Sequence, residues 1–137
     1  MFNKRKILRS IWPIQLILTI CLISNVAAEE KWSSIFKFEK NGNEIFLLNE
    51  PPVILDSSIR VWVLTNFPSS NFSMIEYLEY DCNESKIKPL ERQVYKNLMG
   101  KGSTLDLKTK GKGEWRYAMP NSPAEQIRKS LCSAFEK

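Results

Sequence analysis

Two cysteines fifty residues apart, Cys82 and Cys132, constrain this chain more than any other feature. The third cysteine, Cys21, lies in an N-terminal stretch that reads as an address label. Lys4, Arg5, Lys6 and Arg9 form a positive start, and an apolar run follows from about Ile14 to Ile23. "NVAAEE" then places small residues for cleavage after Ala28. These are the three marks of a secretory signal peptide over residues 1–28, with one domain over 29–137. A retained membrane anchor is the competing reading, but the run is shorter than the ~20 apolar residues that span a bilayer. Lipid attachment at Cys21 is not expected, because Ile20 stands where a lipobox needs a small residue.

An exported chain meets an oxidising environment, so Cys82 and Cys132 are expected to form one intramolecular disulfide. The alternatives are two separate thiols or a bridge between chains. Closing that loop stabilises by about 4 kcal/mol on the chain-entropy model.

The signal also carries the charge. The 137 residues hold 20 basic and 15 acidic side chains, net +5. Without the four basic residues of the signal the count is 16 against 15, net +1. Nucleic-acid binding is therefore not indicated by charge.

From residue 29 onward the pattern is of short strands, then one helix. "WSSIFKF" and "EIFLL" flank Asn41-Gly42, a strong hairpin signal. "NEPPVILDSS" breaks the ladder, since Pro51 and Pro52 lack a backbone donor. "IRVWVLTNF" is apolar on both sides and reads as a central strand. In "SMIEYLEYDC", Met74, Leu78, Tyr80 and Cys82 share one face, and Glu76 interrupts it as if near an edge. The other face carries Ile75, Tyr77, Glu79 and Asp81 and is expected to point to water. "KIKPLERQVYKNL" fits an edge or bulged strand, with a helix over residues 90–98 as the competing reading. "GKGSTLDLKTKGKGEW" reads as loop, short strand, loop, and "EWRYAM" offers a last strand.

The helix is well signalled. Ser122 is the N-cap, Pro123 suits the first turn, and Glu125 completes a capping box. Ala124, Ile127, Leu131, Ala134 and Phe135 share an arc of roughly 100°, with Cys132 at its rim. A helix of about 14 residues is marginal alone and must dock on the sheet. The fold class is α+β: an antiparallel sheet of about six strands, with a C-terminal helix packed on one face and tethered by the disulfide.

Catalysis is not indicated. The chain has no histidine, the commonest general base and metal ligand. It shows no phosphate loop or nucleophile elbow. Glu76, Glu79 and Asp81 do not share one strand face and read as a solvated surface. No metal or cofactor is expected. A basic set of Lys86, Lys88, Lys108, Lys110 and Lys112, with Lys101 nearby, is the candidate ligand-binding surface for an acidic partner. The competing reading is ordinary solubility lysines in polar loops. Asn71 and Asn83 begin glycosylation sequons by spelling, and nothing else points to that modification.

"RVWVLTNF", "EYDC" and "GEWRYAMPNSPAEQIRKSLC", in that order, resemble the surface-adhesin protein E family of Gram-negative bacteria. The resemblance runs from about Trp32 to Phe135. It places Trp62, Tyr80, Asp81, Cys82, Trp115, Pro120, Ser122 and Cys132 at structural family positions. It implies a curved sheet with the helix tied to its concave side. It also implies adhesion to host matrix proteins such as vitronectin and laminin, or plasminogen binding. The second reading is a periplasmic structural or accessory protein with no host ligand. A free sheet edge is compatible with a homodimer.

Overall fold

A computed structural model describes residues 31–105 and 113–136. Its strands are β1 (Trp32–Lys37), β2 (Glu44–Leu48), β3 (Val53–Ile54), β4 (Ser58–Phe67), β5 (Phe72–Asp81), β6 (Lys86–Tyr95), β7 (Thr104–Leu105) and β8 (Arg116–Tyr117). One helix, α1 (Pro123–Phe135), follows. The strands form an open antiparallel sheet in the order β1-β2-β4-β5-β6-β7, with β3 also on β4 and β8 also on β6.

The central position of β4 follows from its two apolar faces. All ten of its residues pair with β5, while β2 and β3 share its other side. The prolines do interrupt the ladder, but Val53 and Ile54 rejoin it against Arg60 and Ile59. β6 is a strand rather than a helix. It carries a bulge beside its proline: Tyr77 faces Glu91 and Leu78 faces Pro89, leaving Leu90 as the extra residue. A bulge is one of the few places where a strand accommodates proline. A second bulge at Ile35 interrupts edge strand β1.

Alternation along the paired strands gives the sheet two distinct faces. On one, Ile45, Val63, Leu78, Tyr80 and Ile87 join Ala118 and Ile127 in the core, with Ala124 and Leu131 of the helix against them. Tyr80 is 1 % exposed. Burial pushes its hydroxyl well above the usual tyrosine range, and the neighbouring Glu76 adds to the effect.

Two tethers hold the helix on this face. The Cys82–Cys132 disulfide is formed, with the Cα atoms 5.6 Å apart. Nearer the helix start, Arg128 donates to both carboxylate oxygens of Glu125, at 2.8 and 2.9 Å. It also donates to the Asp81 carbonyl at 3.2 Å. Ser85 adds a hydroxyl bond to Glu125. Asp81 shapes the turn that receives the helix: its Oδ1 accepts from the backbone N–H groups of Asn83 and Glu84.

Glu125 therefore does more than the capping pattern suggests. Its N–H donates to the Ser122 hydroxyl, while its carboxylate turns inward to Arg128. The Arg128 guanidinium holds that carboxyl below its ordinary pKa. The apolar arc also ends sooner than its periodicity implies, since Phe135 is 38 % exposed.

The acidic residues of β5 overturn the expectation of a solvated face. β5 is interior to the sheet, flanked by β4 and β6. Glu76 and Glu79 are both buried. Each faces an arginine in register: Arg92 donates to Glu76 and Arg60 to Glu79. An opposite charge directly across the ladder is what makes their burial tolerable.

Candidate functional site

On the face away from the helix, the first half is closed by the turn Leu98–Gly100. Buried polar groups pin it there. Ser73 Oγ donates to the Asn97 carbonyl and accepts from the Gly100 N–H, and Asn66 Oδ1 accepts from the Met99 N–H. Gly100 has φ +66°, and a Cβ on it would stand 2.8 Å from Ile75 Cδ1. The left-handed backbone favours glycine here, while an added Cβ would require only the flexible end of Ile75 to shift. Leu64 lies completely buried on this face.

In the second half Ser58 and Glu79 are buried and Arg60, Trp62 and Tyr77 are half-buried. Trp62 and Tyr77, cross-strand neighbours, stack with centroids 4.7 Å apart. Further out, β8 pairs with the start of β6, Tyr117 opposite Lys86 and Arg116 opposite Ile87. The Ala118 N–H bonds the Ser85 carbonyl, and Ala118 itself is buried in the core. Strand-like alternation about that anchor sends Trp115, Tyr117 and Met119 outward, where they are 40, 74 and 75 % exposed.

Two of the predicted lysines meet these rings. Lys86 Nζ lies 5.0 Å from the Tyr117 ring centroid and Lys88 Nζ 5.7 Å from that of Trp115. Both separations are within reach of a cation–π attraction. Lys86 is also paired with Glu84, whose hydrogen bond raises the lysine pKa, with lesser contributions from Glu84 charge and Tyr117. The strip thus presents three large apolar groups interleaved with ammonium groups held at fixed places. It suits recognition of a partner by apolar contact and charge together. Lys108, Lys110 and Lys112 lie outside the described residues.

The other family positions have separable roles. Trp62 stacks on the outer face, Tyr80 fills the core, and Ser122 caps the helix. Pro120 is exposed in the approach to α1. Trp115 stands at the surface beside Lys88. Tyr117 and Met119 were not singled out from sequence, although the W-x-Y-x-M alternation in "EWRYAM" is the signal that reveals them. Among the described residues no group of three or more metal-ligating side chains converges, and no helix is long and apolar enough to cross a membrane.

No curated protein and no solved structure matches the chain significantly. The family comparison does give a match, to surface-adhesin protein E over residues 32–133. That span takes in the whole sheet, both cysteines and the strip beside β6. The chain belongs to the surface-adhesin protein E family.

Proposed function

We propose that the protein is an exported, non-enzymatic adhesion module. In this reading Trp115, Tyr117, Met119, Lys86 and Lys88 form its contact surface for a host matrix protein such as vitronectin or laminin, or for plasminogen. The observation that carries the reading is the outward row at 115, 117 and 119. A chain that buries its core beneath a tethered helix still leaves these large apolar side chains in water, the condition of a surface kept for a partner. Family membership and the N-terminal export pattern support the same role.

The test is binding of purified protein to immobilised vitronectin, laminin and plasminogen, with protease shaving of intact cells to locate the chain. The combined variant K86E/K88E/W115A/Y117A should weaken binding by about tenfold or more, as loss of an aromatic–basic anchor does. The variant K108E/K110E/K112E tests the lysine-rich segment separately. Complete protection from shaving, or unchanged binding by the combined variant, would set the proposal aside in favour of a periplasmic role or another surface.

A further inference from the structure

The two halves of α1 are held on the sheet by different means. In the N-terminal half Ser122 caps the helix, and Glu125 and Ile127 are buried. Arg128 ties this half to the turn after β5, reaching the Asp81 carbonyl at 3.2 Å. Beyond Lys129 only Leu131 and Cys132 turn inward, while Ser130, Ser133, Ala134 and Phe135 are exposed. Ser133 Oγ donates back to the Lys129 carbonyl of the helix itself rather than to the sheet. The C-terminal half therefore depends on the Cys82–Cys132 disulfide far more than the N-terminal half does.

The bond is also within reach of solvent. A cavity of 240 Å³ opens beside it, and both cysteines line that cavity. Cys82 is half-buried, whereas Cys132 is 5 % exposed. A small thiol thus has a route to the Cys82 sulfur in the folded protein. Charge does not favour one sulfur over the other as leaving group. Arg128 stands one helical turn before Cys132, and its Nη1 lies 3.5 Å from the Cys82 carbonyl oxygen. Access is what separates the two sulfurs.

We infer that Cys82 is a site of exchange with small thiols, and that its reaction frees the C-terminal half of α1 while the N-terminal half stays docked. The attacking thiolate forms a new S–S bond to Cys82 Sγ. The Cys82–Cys132 bond breaks, its electron pair goes to Cys132 Sγ, and that thiolate takes a proton from water. A small dithiol completes the reduction. Its second thiolate closes a cyclic disulfide within the reagent and releases Cys82, which is protonated in turn. The protein gains two thiols, and the dithiol is the species oxidised. One end of the helix face is loosened in this way, and no residue of the strip around Trp115 takes part.

Treating the folded protein with 2-mercaptoethanol, trapping free thiols with iodoacetamide and mapping the peptides by mass tests the site. The mercaptoethanol adduct is expected on Cys82 and the alkyl group on Cys132. Dithiothreitol without denaturant then tests the consequence by amide hydrogen exchange. Exchange in the last turn, Ser133 to Phe135, should accelerate by about tenfold or more, and that of Gln126 to Lys129 by less than about threefold, because opening follows local contacts. An adduct mainly on Cys132, a bond that reacts only once urea unfolds the chain, or equal acceleration along the whole helix would overturn the inference.

Discussion

The two faces of the sheet solve different problems with the same strands. The helix face is closed by apolar packing around Ile127, Leu78 and Tyr80, a disulfide, and an arginine that binds helix carboxylate and turn carbonyl at once. The outer face is closed over half its length by a turn held on Ser73 and Asn66, and is half-buried over the rest. Beyond the turn come the Trp62–Tyr77 stack, the Arg60–Glu79 pair and the exposed strip of β8. One face is organised for cohesion, and the other keeps apolar and cationic groups at the surface. Stability and recognition should therefore separate by mutation.

The largest effect is expected from the covalent tether. Replacing Cys82 and Cys132 with serine should cost about 4 kcal/mol by urea denaturation. A loss below about 1 kcal/mol would show that the disulfide adds little to a helix already held by packing. Next comes Arg128→Met, at roughly 3 kcal/mol, because it leaves the Glu125 carboxylate buried without its main partner. This contribution has a defined pH sense. The folded-state pKa of Glu125 is depressed by Arg128, so its stabilisation is present above the ordinary carboxylate pKa of about 4.3. It is lost as pH falls through the lower folded value. Stability curves of wild type and variant should therefore converge in acid; a constant gap would assign the effect of Arg128 to packing.

On the outer face, Gly100→Ala should cost about 2 kcal/mol, through its left-handed backbone and the contact with Ile75. Thermal unfolding would show it, and a neutral result would mean that the turn shifts freely off the sheet. The smallest effect on stability belongs to the strip. Tyr117→Ala should stay within about 0.5 kcal/mol of wild type, as exposed substitutions usually do.

Much of the helix face was legible in the sequence. The two apolar faces of β4 marked the central strand, the cap at Ser122 fixed the helix start, and the two cysteines joined helix to sheet. The outer face was less so, for physical reasons. Ser73 and Asn66 are polar, and polarity in a sequence does not announce burial; their roles exist only once the Leu98–Gly100 turn lies over them. Glu76 and Glu79 find their arginines 16 and 19 residues away in sequence, through strand register that a bulge has shifted for one of them. β3, β7 and β8 have two residues each, too few for a period to show. The strip at 115–119 is the exception: its alternation was present in the sequence, but its exposure depended on Ala118 being the residue that anchors inward.

The separation of cohesion from recognition is tested most directly by measuring unfolding midpoint and matrix binding together on K86E/K88E/W115A/Y117A. The predicted result is a variant that still unfolds cooperatively, with binding to the immobilised host protein weaker by about tenfold or more. Wild-type binding by this folded variant would contradict the account.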